Sequence, residues 1–205
     1  DDLAAVLIEP MLGSGGCIPA RKEFLQAIRN ETNANDICLI FDEVMTSRSS
    51  VGGLQEKLEI YPDITTLGKY LGGGASFGAF GGRNEIMELW NPTHPHGLSH
   101  AGTFNNNTMS MAAGYTGLTK VFTREIANKL FDFGELFKSS INQICKQYSV
   151  KVQITGVGSI LGLHVKKGNI STPPKYSDFE LNKLKLIHLE MSLKGFLFAQ
   201  RGYLT

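Results

Sequence analysis

Residues 37–41, Ile-Cys-Leu-Ile-Phe, are apolar at every position and run into Asp42-Glu43-Val44. A strand sends alternate side chains to opposite faces, so a run of this kind needs cover on both sides. Ile37 to Val44 is therefore expected to be an inner strand of a parallel sheet flanked by helices, and the surrounding sequence supplies the other pieces. Ala4 to Glu9 reads as a second buried strand, closed by Pro10. Leu12 to Gly16 reads as a flexible glycine-rich loop. Pro19 to Asn30 puts Phe24, Leu25 and Ile28 on one helical face, with Pro19 suited to the helix start.

The pattern continues with a short third strand, Ile64 to Leu67, ending just before Lys69. Gly78 to Gly82 reads as a fourth, its small residues implying close approach by other groups. A short helix over Asn84–Trp90 is followed by a loop, Asn91 to His100, rich in proline and histidine. Helical periodicity then runs from Thr108 to about Tyr148, with a break near Thr123-Arg124. Lys151–Thr155 and Ser159–Val165 form a hairpin pattern around Gly156-Val157-Gly158, and Asp178 to Ser192 is again helical. This divides the chain into an α/β part, residues 1–120, and a long helix leading into a smaller α+β domain, residues 121–205.

Composition narrows the partners. A formal charge of +1 without a basic block gives no electrostatic footprint for nucleic acid or an anionic membrane. No apolar run approaches the roughly 20 residues that span a bilayer. Cys17, Cys38 and Cys145 are odd in number and far apart, so they read as reduced thiols of a soluble intracellular protein, cytoplasmic by default. The chain opens at Asp1 without an initiator methionine and stops at Thr205 without a terminal element. It therefore reads as part of a longer protein, and any targeting segment would lie outside it.

In open α/β sheets, ligands gather beyond the carboxyl ends of the strands, where Glu9 and Asp42 sit. Lys69 follows a buried segment and precedes Gly72-Gly73-Gly74. Desolvation there would destabilise its ammonium and free a neutral amine for carbonyl chemistry. A nearby buried acid implies a cation to neutralise. Pyridoxal phosphate needs both groups: an amine for its aldehyde, held as a Schiff base, and a carboxylate for its ring nitrogen. Against this stand plainer roles, a surface lysine after a turn and a strand-end capping aspartate. His94, His96 and His100 lack an acid or cysteine at metal-ligand spacing, so no metal is expected. Gly72 to Gly74 lacks both nucleotide-loop signatures.

Four motifs occur in order: Ile8-Glu9-Pro10 before a glycine-rich loop, Phe41 to Thr46, Pro62 to Lys69 with the glycine triplet, and Ala101-Gly102-Thr103. Together they resemble class III aminotransferases. Within that class the match is nearest to glutamate-1-semialdehyde 2,1-aminomutases, on Met45 and on Gly82 to Met87. The resemblance implies a fold-type I enzyme, with the cofactor-binding large domain up to about residue 120 and part of the small domain beyond. It implies Lys69 as Schiff-base lysine, Asp42 on the pyridinium nitrogen and Val44 against the ring. It further implies Gly102 and Thr103 at the phosphate of a neighbouring subunit's cofactor, hence a homodimer.

Ser14, Ser47 to Ser50 and Ser99 depart from the aminomutase pattern, around the substrate side. The small-molecule amino or oxo substrate therefore stays open, but the reading is an aminomutase-like transfer of an amino group, with a class III transaminase for a different omega-amino acid or amine as the alternative. Less favoured are a non-catalytic scaffold and a nucleotide-binding module.

Overall fold

A computed structural model of the chain describes residues 2–205. In chain order it has strands β1 (Ala5–Ile8), β2 (Met11–Leu12) and β3 (Ile18–Pro19), helix α1 (Lys22–Ala34), strand β4 (Cys38–Asp42) and helix α2 (Gly53–Leu58). Strands β5 (Ile64–Gly68) and β6 (Gly78–Gly82) precede helices α3 (Asn84–Met87), α4 (Thr108–Thr116) and α5 (Arg124–Gln147). Strands β7 (Gln153–Val157) and β8 (Ile160–His164), helix α6 (Asp178–Leu193) and strand β9 (Tyr203–Leu204) follow. The contacts separate two compact units: the chain through Pro10 together with Lys22–Ile126, and Met11–Arg21 together with Ala127–Thr205. No helix among the described residues is long and apolar enough to cross a membrane.

The first unit is an α/β sheet in the order β1-β4-β5-β6, parallel except for β6. That reversal has a local cause, because residues 69–77 are fewer than the dozen or so that a parallel crossover needs. Leu39 and Phe41 are fully buried on one face of β4, against which α1 lies through Leu25. Strand β1 is less covered than its apolar sequence implies: it pairs on one side only, and Leu7 is 64% exposed. Helix α1 starts at Lys22 rather than Pro19, which belongs to β3. Among the small residues of β6, close approach holds at Gly82, where an added Cβ would lie 2.0 Å from the Asp63 carbonyl oxygen; Gly78 and Gly81 face open space.

Two buried acids fasten this unit. Asp63 accepts from the Leu39 amide (2.8 Å), Arg29 Nη1 (2.9 Å) and Arg83 Nη1 (3.2 Å), joining α1, β4 and the residue after β6. Burial pushes its carboxyl up, but the Leu39 amide and the two guanidinium groups outweigh that and hold it below the usual carboxylate range. Glu43, with no exposed surface, accepts from the amides of Leu54 (2.6 Å) and Gln55 (3.0 Å), from Gln55 Nε2 (3.0 Å) and from the Thr46 hydroxyl (3.0 Å). The acid beside Asp42 thus closes the otherwise unpaired N-terminus of α2. The chain between them, a 3-10 turn over Thr46–Ser49, buries Ser47, Ser49 and Ser50.

The second unit holds the antiparallel sheet β7-β8-β9 with α5 and α6. Helix α6 begins with a capping box, Ser177 and Glu180 bonding each other's backbone amides. The glycine-rich segment expected to be a flexible loop is a built hairpin: β2 pairs with β3, and Met11 and Cys17 are fully buried. Its carbonyls are fixed from afar. The Tyr203 hydroxyl donates to Gly13 (3.0 Å), and Gly16 accepts from the Thr155 hydroxyl (3.1 Å) and His164 Nε2 (2.9 Å). A carbonyl can only accept, so Nε2 carries the hydrogen and Nδ1 accepts from the Tyr176 hydroxyl at 2.8 Å. Burial pushes the His164 imidazole below its usual range, against the Gly16 bond, and pushes the Tyr176 phenol up to about 12.

Candidate active site

Strands β4 and β5 run parallel with Asp42 opposite Thr66, and the Glu43 amide donates to the Thr66 carbonyl (3.1 Å) just beyond. Thr66 in turn stands opposite Phe80 of β6. Side chains in register share a face, so Asp42, Thr66 and Phe80 form a row across three strands, on the side away from Leu39 and Phe41. Phe80 meets the rings of Trp90 and His100 edge-on, with centroids 4.9 and 5.5 Å away. A cavity of about 1040 Å³ opens on this face, lined by Thr66, Phe80, Trp90, His100, Gly102 and Asn107 among others.

Asp42 is half-buried, and its Oδ1 accepts from the Val44 amide at 3.0 Å. That bond turns the strand end back on itself and leaves Oδ2 open. Val44 packs beside Gly68, whose added Cβ would sit 3.5 Å from Val44 Cγ1. Lys69 comes three residues after Thr66, at the same carboxyl edge of the sheet. The expectation that it is buried does not hold within this chain: burial ends at Gly68, and Lys69 is exposed.

Its backbone is nonetheless tightly set. Lys69 has φ 55° and opens a single 3-10 turn, Lys69–Gly72, whose end is closed by the left-handed Gly73. Helix α4 lies against that turn so closely that a Cβ on Gly114 would be 2.3 Å from the Leu71 carbonyl oxygen. Gly114 is therefore the residue that lets α4 reach the lysine-bearing turn.

Gly102 lies on the cavity wall, and its carbonyl accepts from the Asn105 amide (3.0 Å). Thr103 begins the adjoining turn, and residues 101–109 are all exposed. Asn107 ends the loop by capping α4, its Oδ1 accepting from the amides of Met109 (3.0 Å) and Ser110 (3.2 Å). Asp42, Val44 and Lys69 thus share one sheet edge, while Gly102 and Thr103 belong to the loop along the cavity. Among the described residues no three His, Cys, Asp or Glu side chains gather as a metal site. Glu9, the other acid at a strand end, lies beyond β1 at the far side of β4 from Lys69.

The donor set fits the group that the sequence implies. A half-buried carboxylate with one open oxygen suits a cationic ring N–H, and Lys69, exposed and without an ion pair among the described residues, is an amine available to an aldehyde. The sequence pattern gives no role to Thr66. Its hydroxyl is buried without a partner, and only the register with Asp42 draws notice to it.

Residues 1–197 match the family described as Aminotransferase class-III. An uncharacterized aminotransferase of Schizosaccharomyces pombe is 48% identical over 208 residues, covering 100% of this chain and 46% of that protein. The beta-phenylalanine transaminase of Variovorax paradoxus is 49% identical over 191 residues, covering 92% of this chain and 44% of its own. A glutamate-1-semialdehyde 2,1-aminomutase of Methanococcoides burtonii is 34% identical, over 97% of this chain and 52% of that one. The crystal structure of the Variovorax beta-phenylalanine aminotransferase superposes with a TM-score of 0.94 at 44% identity, covering all of this chain and 47% of that one. The chain thus spans about half the length of the curated relatives it matches.

Proposed function

We propose, because this chain belongs to the class III aminotransferase family, that the protein containing it transfers amino groups between small amino and oxo compounds with pyridoxal phosphate. The observation that carries this is the edge shared by Asp42, at the end of β4, and Lys69, just past the end of the neighbouring parallel strand β5, in a sheet of the family's fold. The cofactor supplies an aldehyde that condenses with primary amines and a protonated ring that draws electrons from the substrate carbon.

Lys69 Nζ would hold the cofactor between turnovers and, once free, would take the proton from the nitrogen-bearing carbon and return it. Asp42, through its open oxygen, would keep the ring nitrogen protonated. Val44 would be a β-branched, conformationally stiff wall beside the ring. Gly102 and Thr103 offer an amide and a hydroxyl to a phosphate. Their exposure in the single chain supports a homodimer in which they serve the neighbouring subunit's site.

For substrate, the higher identity to the beta-phenylalanine transaminase favours a transaminase of omega-amino acids or amines within the class, while aminomutase-like transfer uses the same residues. The compact units support a large cofactor-binding domain up to about residue 120 and a small domain beyond, with Met11–Arg21 grouped with the latter. None of Cys17, Cys38 and Cys145 forms a disulfide among the described residues, which supports an intracellular setting.

The test is to load the full-length protein with pyridoxal phosphate, reduce with borohydride and map the label. A visible absorption band and a label on Lys69 are expected; their absence in a folded protein overturns the proposal. Assaying β-phenylalanine, simple amines and glutamate-1-semialdehyde with a panel of oxo acids then separates the substrates.

A further inference from the structure

Thr65 and Thr66 are consecutive and face opposite sides of β5. Thr65 is satisfied, its Oγ1 accepting from Gln55 Nε2 at 3.0 Å. Thr66 is not: its Oγ1 is shielded from solvent and has no hydrogen-bond partner. Burying an unpaired hydroxyl costs free energy, and valine would fill the same volume in a strand without that cost. A threonine here therefore needs an acceptor that the described chain does not provide. Asp42, directly opposite, takes its bond on Oδ1 from Val44 instead. Thr66 is one of the residues lining the cavity, one strand spacing from the Asp42 carboxylate.

We infer that Thr66 is a cofactor-binding residue whose hydroxyl donates to an anionic oxygen of the group held by Asp42 and Lys69. This rests on the pyridoxal phosphate reading above. Pyridoxal phosphate presents two such acceptor groups, the ring phenolate and the phosphate, and a neutral hydroxyl donor serves either without competing with Asp42 for the ring nitrogen.

The experiment compares wild type, Thr66→Val and Thr66→Ser in the full-length protein. Each is stripped of cofactor and titrated with pyridoxal phosphate and, separately, with pyridoxal. Thr66→Val is expected to weaken pyridoxal phosphate binding about 10-fold, Thr66→Ser to restore it, and the cofactor-free Val variant to melt no lower than wild type. A penalty that persists with pyridoxal identifies the ring oxygen; one that disappears identifies the phosphate. Unchanged binding in Thr66→Val overturns the inference. So does weakened binding in both variants together with a lower cofactor-free melting temperature, which marks a packing role. If wild type itself shows no visible band and no borohydride label at Lys69, the cofactor reading fails first, which is a different result.

Discussion

Replacing Glu43 with glutamine changes one atom in a fully buried group, and its cost follows from the donors around it. Oε2 accepts from the Leu54 amide and the Thr46 hydroxyl, and Oε1 from the amide and side-chain nitrogen of Gln55. All four neighbours donate, whereas a carboxamide has one accepting oxygen and an NH₂ that can only donate. With NH₂ in the Oε2 place, the Thr46 hydroxyl can turn to accept, but the Leu54 amide is stranded. With NH₂ in the Oε1 place, the Gln55 backbone amide is stranded, even if the Gln55 side chain flips to accept and the Thr65 hydroxyl turns to donate to it. Either way one buried N–H loses a charged acceptor, which amounts to about 3 kcal/mol. Loss of the negative charge at the α2 N-terminus adds roughly 0.3–1 kcal/mol. For a domain of this size about 3 kcal/mol lowers the melting temperature by about 6–12 °C. Calorimetry of the full-length Glu43→Gln protein at pH 7 is the measurement. A drop under about 2 °C, or full stability with lost activity, would refute the structural assignment of Glu43 and give the acid a chemical role.

Asp63→Ala should cost about 3–5 kcal/mol, since it leaves the buried Arg29 guanidinium without its partner. Arg83→Ala should cost under about 1 kcal/mol, because Arg83 is 58% exposed; urea unfolding giving the reverse order would be inconsistent with the network. His164 has a folded pKa below its unfolded value of about 6.5, so the unfolded chain binds the proton first. Its stabilisation is complete above about pH 6.5 and declines as pH falls toward the folded value. Melting temperatures between pH 7.5 and 5 should thus fall more steeply for wild type than for His164→Gln, and parallel curves would exclude the effect. Asp42→Asn should lower kcat by on the order of 10²–10³ while shifting the melting temperature by less than about 2 °C. Steady-state kinetics beside a thermal scan checks both, and a stability loss without a rate effect would leave Asp42 a capping residue.

The elements that were legible in the sequence are those with local causes. Strand β4 announced itself by an apolar run ending in an acid, β5 by the short run Ile64 to Leu67 before Lys69, and α6 by the helical pattern of Asp178 to Ser192. The β2–β3 hairpin was not legible, because its two-residue strands carry no periodicity and its anchors lie 139 and 148 positions away at Thr155 and His164. The reversal of β6 follows from the shortness of residues 69–77, which sequence pattern shows only once both strand ends are fixed. At the site, residue types and order pointed to Asp42 and Lys69, yet exposure is set by tertiary neighbours, and Lys69 proved exposed. The register of β5 against β4 puts Thr66 on the face of Asp42, and that its hydroxyl lacks a partner is a fact about surroundings; no spacing encodes either.

The hairpin also bears on how such a chain can be divided. Because Met11–Arg21 groups with residues after Ile126, the second unit is discontinuous, and no single cut releases it whole. A piece beginning at Ala127 would retain β7, β8 and β9 but lose the Gly16 carbonyl that receives the His164 and Thr155 hydrogens, and the buried Met11 with it. Domain swaps between relatives of this family would therefore need to transplant two segments together, one of them an eleven-residue insert that looks, by sequence, like part of the other domain.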